Sequence, residues 1–221
     1  MSAMSVISQI VPAPRHPGRF DILIDGVATA TLSLDAIDRL QLRVGRDVAG
    51  LEERIVLEAT QLAVYDRALN MLAVRARSSA ELARALVRKG AQRAIVDHTI
   101  ARLLEQGLLD DAAFARSFTR AKVLGANQSR RRVQQHLARK GVARSVSDAA
   151  IAVVFAEEDI DQRGMVEAAA RKKLRTLTGQ EPAVRRRRLY GFLARRGYDG
   201  DDIRRAMTAL REELKLSAGE K

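Results

Sequence analysis

The sequence predicts a mainly α-helical protein made of tandem three-helix repeats, which form an elongated curved array behind a small N-terminal β-hairpin. Three observations support this prediction. Apolar residues recur at the spacing of a helical face through most of residues 61–221. A ten-residue pattern that ends in a basic pair and a glycine occurs three times. Near the N-terminus, two β-prone runs flank an Asp-Gly pair.

The predicted hairpin lies at residues 19–34. Its two runs are rich in Ile, Leu, Val and Thr and flank Asp25 and Gly26. A type I′ turn needs positive φ at both central residues, and Asp-Gly tolerates this conformation. Two strands alone are marginally stable, so we expect the hairpin to pack on another element. Helices are expected next at residues 33–42 and 51–65, with a break at residues 44–47.

The repeat is visible when Gly90, Gly141 and Gly197 are aligned. Apolar residues then coincide at two positions four residues apart, which is the spacing of one buried helical face. These positions hold Leu82 and Leu86, Val133 and Leu137, and Leu189 and Leu193. Each glycine is expected to end a helix, because glycine adopts the left-handed cap and the basic pair before it complements the negative helix end.

Two further helices are expected around each glycine-terminated helix. Helical stretches precede it at residues 64–77, 111–124 and 161–177, and apolar residues ten and thirteen positions beyond each glycine predict another helix after it. Ser78 and Glu81 form a capping-box pattern at the start of the first glycine-terminated helix. We expect an N-terminal extension at 1–60, repeats at 61–109, 110–158 and 159–216, and a disordered tail at 217–221.

The basic charge lies in the repeats. Residues 1–60 contain six Arg and eight acids, a net charge of −2, so the +12 of the whole chain leaves +14 for residues 61–221. A surface of this sign attracts polyanions, and nucleic acid or a protein bound to it is the natural target. A solvated surface that only aids solubility is the alternative. Because aromatic residues make up only 4% of the chain, DNA contact is expected to be electrostatic and nonspecific.

Basic pairs and runs are the candidate binding residues for a partner or DNA. A guanidinium presents a planar fork of donors that suits phosphate or carboxylate, and four consecutive arginines repel one another unless a partner compensates. The pairs before the glycines could instead serve only as helix caps. The candidates are Arg88, Lys89, Arg130, Arg131, Arg132, Arg139, Lys140, Lys172, Lys173, Arg185, Arg186, Arg187, Arg188, Arg195 and Arg196.

The residues that enzymes and metal sites require are missing or scattered. The chain has no cysteine, and His16, His98 and His136 stand singly without metal-ligand spacing. Asp110 and Asp111 precede a predicted helix, where N-capping explains them better than acid–base or metal chemistry. We therefore expect no catalytic activity, metal or cofactor. The sequence shows neither a secretory signal nor an apolar run of the ~18 residues that a membrane span needs. A cytoplasmic monomer is expected.

Several of these segments resemble the RecX family of recombination regulators. The segments that carry the resemblance are Arg75–Leu82, Lys89-Gly90 and Leu104–Ala115, then Arg132–Val142, and finally Phe192–Tyr198. The resemblance covers about residues 61–212. It implies tandem three-helix repeats that lie in the groove of a RecA–DNA filament and inhibit its ATPase and strand exchange, in DNA repair, recombination and the SOS response. An autonomous, sequence-nonspecific DNA-binding protein is the alternative that the sequence leaves open.

Overall fold

A computed structural model describes residues 5–14, 16–211 and 214 of the chain. The chain divides into two compact units. The first comprises Met1–Ala76 and Leu82–Leu108, and the second comprises Arg77–Glu81 and Leu109–Lys221. The tail expected at residues 217–221 lies outside the described residues.

The N-terminal part of the first unit is a three-stranded antiparallel sheet. Its strands are β1 (Ile7–Pro12), β2 (Arg19–Ile24) and β3 (Val27–Ser33), in the spatial order β1-β2-β3. The predicted hairpin is confirmed, with positive φ at Asp25 and Gly26. The sequence analysis did not predict the strand β1. An irregularity in its register with β2, between residues 7 and 9, disturbs the alternation of apolar residues that identifies a strand.

Two helices follow the sheet, α1 (Leu34–Arg39) and α2 (Glu52–Val74). The helical stretches predicted at 51–65 and 64–77 form the single helix α2, which spans the expected boundary at residue 60. Ile37 and Ile55, from the two helices, join Ile22 and Leu32 of the sheet in one buried cluster. The hairpin therefore has the packing partner that it needs for stability.

Eight more helices follow in the described residues. They are α3 (Ser79–Arg88), α4 (Arg93–Glu105), α5 (Asp111–Ala126), α6 (Arg130–Lys140), α7 (Arg144–Glu157), α8 (Gln162–Leu174), α9 (Pro182–Arg195) and α10 (Gly200–Ala209). In the part of the chain that the structure describes, α2 to α10 form three successive triplets, as the repeat predicts. Gly90, Gly141 and Gly197 all lie just beyond a helix with φ between +81° and +89°.

Buried leucines hold each glycine-terminated helix in place. Leu86, Leu137 and Leu193 are fully buried, as the i, i+4 spacing predicts. In the second unit, Leu137 belongs to a core formed by α5, α6 and α7, and Leu193 belongs to a core formed by α8, α9 and α10. Burial of such side chains contributes about 1.5–3 kcal/mol each, so these cores fix the positions of the basic helices.

Local caps also follow the prediction. The Asp110 carboxylate accepts hydrogen bonds from the amides of Ala112 and Ala113 and begins α5, so its role is structural. The Ser78 hydroxyl accepts from the Glu81 amide at 3.2 Å and begins α3.

Candidate functional site

The candidate basic residues differ in exposure. Ten have exposed side chains and four are partly buried, whereas Arg185 is only 3% exposed. The exposed ones are Arg88, Lys89, Arg130, Arg131, Arg139, Lys172, Arg186, Arg187, Arg188 and Arg195. The partly buried ones are Arg132, Lys140, Lys173 and Arg196. The exposed side chains can contact a partner, whereas a buried side chain contributes to the packing of the fold.

Four of the candidates meet at one concavity in the second unit. Lys173 at the end of α8 and Arg187, Arg188 and Arg195 of α9 line a pocket of about 400 Å³. The arginines share one side of α9 because Arg187 and Arg188 lie eight and seven residues before Arg195, which is about two helical turns. No acid is among the described residues that line this pocket. We call these four side chains and their concavity the cationic pocket.

Gly191 leaves room for the cationic pocket to form. It lies one turn before Arg195, and a Cβ atom added there would lie 3.2 Å from Nη1 of Arg195. The absence of a side chain therefore lets the Arg195 guanidinium lie over the helix surface. The sequence analysis did not single out Gly191. Its spacing of four residues from both Arg187 and Arg195 is the signal that could have identified it.

An aromatic ring supports the α8 side of the cationic pocket. The Lys173 ammonium lies 5.6 Å from the centre of the Phe192 ring, and the Arg196 guanidinium lies 4.4 Å from the same ring. Both distances are within the range of cation–π attraction. Phe192 thus contacts Lys173 of the cationic pocket, a contact that the sequence analysis did not predict.

Repulsion among the four cations favours an anion as the occupant of the cationic pocket. Guanidinium groups bind phosphate or carboxylate in a bidentate manner, and like charges gathered without an acid are relieved when such a group binds. Surface charges also act on partners at a distance of about a Debye length, ~10 Å at 0.1 M salt. The arrangement can therefore attract and hold a phosphate or a carboxylate without any reactive group.

The expectation that Arg185 to Arg188 act together as one binding cluster does not fit the burial of Arg185. Its Nη1 donates a hydrogen bond to the Leu214 carbonyl oxygen at 3.3 Å. Residue 185 precedes Leu189 and Leu193 by four and eight residues, so it lies on the buried face of α9. The run of four arginines hid this periodicity. Arg186, Arg187 and Arg188 are the members that face solvent.

Lys140 also has contacts within the fold. Its Nζ lies 3.1 Å from a carboxylate oxygen of Glu81 and 5.4–5.6 Å from the ring centres of Phe114 and Phe118. Its carbonyl oxygen accepts a hydrogen bond from the Ser78 hydroxyl at 2.6 Å. These contacts give the Lys140 charge a role within the fold that needs no external partner.

Two other candidates contact structural neighbours as well. The Arg130 guanidinium lies 4.7 Å from the centre of the Phe155 ring. The carbonyl oxygen of Arg196 accepts a hydrogen bond from the Ser129 amide at 3.1 Å. For both residues the contact joins neighbouring helices of the second unit.

His136 lies among cations beside the Phe118 ring, with ring centres 6.2 Å apart. Burial lowers its pKa from the ordinary 6.5, and the charges of Arg139, Arg132, Lys122 and Lys140 lower it further. Nε2 is buried and lacks a hydrogen-bond partner in the described part of the chain. Both effects favour the neutral form of the His136 imidazole, which packs beside the Phe118 ring.

The described residues contain neither a candidate metal site nor a candidate membrane span. No group of three or more His, Cys, Asp or Glu side chains there could hold a metal ion. No described helix has both the length and the apolar character needed to cross a membrane.

The fold and the cationic pocket define a class: a helical-repeat protein with a positively charged surface suited to anionic partners. Comparison with family models identifies the repeats. The first, second and third three-helix domains of RecX match residues 65–103, 110–151 and 165–207. The chain belongs to the RecX family.

Individual relatives agree with this assignment. The chain is 34% identical to the regulatory protein RecX of Chlorobaculum tepidum over 74% of its own length and 93% of the relative's. It is 31% identical to the regulatory protein RecX of Halalkalibacterium halodurans over 92% and 77% of the two chains. A crystal structure of regulatory protein RecX shares the fold, with a TM-score of 0.73, 22% identity and coverage of 95% and 100%.

Proposed function

We propose that this protein binds RecA filaments on DNA and inhibits their ATPase and strand-exchange activities. The single observation that carries the proposal is the cationic pocket in a chain of the RecX family. Binding rather than catalysis is its mechanism, and it acts in the cytoplasm as a monomer. The proposed repeats at 61–109, 110–158 and 159–216 each contain one of the family-model matches.

The charges of a nucleoprotein filament match the proposed surface. DNA carries one negative charge per about 1.7 Å of helix axis, and a protein filament adds carboxylates at fixed positions. The cationic pocket presents four cations to such groups, and the exposed Arg88, Lys89 and Arg131 add to the charge elsewhere on the repeats. Phosphates of the bound strand or acids of the recombinase would both relieve the repulsion within the pocket.

A filament suits this surface better than bare DNA does. Binding to single strands usually relies on exposed aromatic rings, each worth about 1–3 kcal/mol per stacked base. Phe114 and Phe155 are buried and Phe192 lies under two cations, which leaves Tyr190 of α9, 44% exposed, as a single well-exposed ring in the described residues. Electrostatic attraction to DNA alone is therefore expected to be weaker than binding to the protein-coated strand.

The test compares two double variants that remove equal charge. R187Q/R188Q removes two cations from the cationic pocket, whereas R43Q/R54Q removes two exposed cations from the first unit. Fluorescence anisotropy measures binding of each protein to a labelled single-stranded oligonucleotide, bare or coated with RecA, between 50 and 300 mM salt. We expect R187Q/R188Q to bind the filament at least tenfold more weakly, about 1.4 kcal/mol. R43Q/R54Q should bind like the wild type.

Two outcomes would contradict the proposal. Equal filament affinity for both double variants would show that the cationic pocket is a solvated surface. Wild-type binding that is as tight on bare DNA as on the filament would instead favour an autonomous DNA-binding protein.

A further inference from the structure

One aromatic side chain of the second unit differs from the others in its exposure. Tyr190 on α9 is 44% exposed, whereas the other aromatic rings in the described part of the chain are buried or partly buried. Its neighbour one helical turn further on, Ala194, is small and exposed, so it leaves the ring uncovered on that side. The Tyr190 ring is therefore accessible to a partner.

The hydroxyl end of Tyr190 lies at the start of α10. A Cβ atom added to Gly200 would lie 3.8 Å from Oη of Tyr190 and 3.3 Å from Nη1 of Arg204. Gly200 thus leaves space for both side chains at this point. The Arg204 guanidinium is paired with Asp201 of the same helix. The packing of α10 against α9 therefore places one end of the tyrosine, while much of the ring stays in solvent.

Tyr190 is also a neighbour of the cationic pocket. It follows Arg187 by three residues and Arg186 by four, and residues at these spacings are adjacent on a helix surface, with Cβ atoms about 5–6 Å apart. Arg187 is one of the four cations of the pocket. This spacing is similar to that between the base and the phosphate of one nucleotide. An exposed aromatic ring and an anion-binding group therefore lie side by side on α9.

We propose that Tyr190 and the cationic pocket together bind one nucleotide of a single nucleic-acid strand, with the base stacked on the ring and the phosphate held by the pocket. Aromatic rings beside a positively charged groove are the usual means by which proteins bind single strands without sequence preference. A carboxylate of a protein would fill the pocket but would leave the ring without a partner. Since each base has a π face, the contact tolerates any sequence.

This inference rests on the proposed function and goes beyond it. The proposed function leaves open whether the cationic pocket takes a phosphate of the strand or an acid of the recombinase, and Tyr190 favours the strand. A base paired inside a duplex cannot reach the ring, so the subsite selects unpaired nucleotides. One ring serves one base, which agrees with weaker binding to a bare strand than to a filament.

The test uses two labelled strands that differ only in their bases. The first is an oligothymidylate of twelve nucleotides, and the second has the same phosphates but abasic tetrahydrofuran residues throughout. Fluorescence anisotropy at low salt measures the affinity of the full chain for each strand. We expect the wild type to bind the oligothymidylate at least tenfold more tightly, because only this strand has bases that can stack.

Three variants assign this preference to the ring. Y190F keeps the ring, and Y190L keeps an apolar side chain without one. L124A removes an apolar side chain of α5 that is 52% exposed and serves as the control. We expect Y190F and L124A to behave like the wild type, and Y190L to bind both strands as weakly as the wild type binds the abasic strand. Thermal melts confirm that all three fold.

The dependence on salt separates the two halves of the subsite. Binding of a phosphate releases counterions, so R187Q/R188Q should reduce the slope of log affinity against log salt concentration. Stacking involves no ion pair, so Y190L should lower the affinity for the oligothymidylate and leave the slope unchanged.

Three results would overturn the nucleotide subsite. They are equal affinity of the wild type for both strands, equal affinity of Y190L and Y190F for the oligothymidylate, and no measurable binding of the oligothymidylate at the highest soluble protein concentration. If R187Q/R188Q still weakens binding to the RecA filament in any of these cases, the proposed function stands and the cationic pocket binds an anion without a base.

Discussion

At the scale of single residues, three positions that the repeat makes equivalent carry Ser78, Ser129 and Arg185. Each lies twelve residues before the glycine of its repeat. Ser78 contacts the carbonyl of Lys140, and Ser129 contacts the carbonyl of Arg196. Both carbonyls belong to the residue just before a helix-ending glycine. In the last repeat, Arg185 takes the same position and reaches the Leu214 carbonyl instead. Because the arginine side chain is longer than that of serine, Arg185 can reach a carbonyl that does not precede a helix-ending glycine.

Arg185→Ala should destabilise the protein, whereas Arg186→Ala should be nearly neutral. Arg185 is buried and donates a hydrogen bond to the Leu214 carbonyl, so its removal loses both the packing of its stem and this hydrogen bond. We expect a loss of at least about 2 kcal/mol in the free energy of unfolding, against less than about 0.5 kcal/mol for exposed Arg186. Urea denaturation measures both. Equal losses would show that Arg185 behaves as a surface residue.

His136 should make stability depend on pH. Its pKa in the folded protein is below 6.5, mainly because of burial, so the unfolded chain binds more protons between the two pKa values. Its contribution is present above pH 6.5 and is lost as the pH falls toward the folded pKa. Denaturation of the wild type at pH 7.5 and 5.0 should therefore show a larger loss than that of His136→Gln. His98→Gln, at an exposed position, should behave like the wild type.

At the scale of elements, Gly90 and Gly197 have the same backbone conformation but different surroundings. Their φ angles are +89° and +86°. A Cβ atom at Gly90 would meet nothing within 4 Å, whereas at Gly197 it would lie 2.5 Å from Cβ of Arg132 and 2.8 Å from Oγ of Ser129. Gly90 serves only the turn, and Gly197 also allows the end of α9 to approach the start of α6.

This difference gives a prediction. Gly90→Ala should cost about 1–2 kcal/mol, which is the penalty for the left-handed conformation. Gly197→Ala should cost about 2–5 kcal/mol, because steric overlap with α6 is added to the same penalty. Thermal or urea denaturation of the two variants checks the ranking, and an equal cost would mean that α6 and α9 can separate without loss.

The sequence predicted those elements whose signals are local. Aligned glycines identified α3, α6 and α9, and Asp25-Gly26 identified the β2–β3 hairpin, because caps and tight turns depend on a few neighbouring residues. β1 escaped prediction because its register shift disturbs the alternation. The cationic pocket also escaped prediction as a set, since Lys173 meets Arg187, Arg188 and Arg195 only after α8 packs on α9.

At the scale of the whole molecule, the net charge differs between the N-terminal extension and the repeats. Residues 61–221 carry +14, whereas residues 1–60 carry −2 and contain the three-stranded sheet. The sign of the charge was readable from the sequence. The surroundings of individual basic residues were not readable, because Arg185 is buried and Lys140 forms an ion pair with Glu81 only in the folded chain.

The most direct test of the central claim is DNA-dependent ATP hydrolysis by RecA from the same organism, measured during a titration with this protein. The account predicts that hydrolysis falls as the protein saturates the filament, and that raising the salt shifts the titration to higher protein concentration because the contact is ionic. A rate of hydrolysis that stays unchanged through saturating protein at low salt would contradict the account.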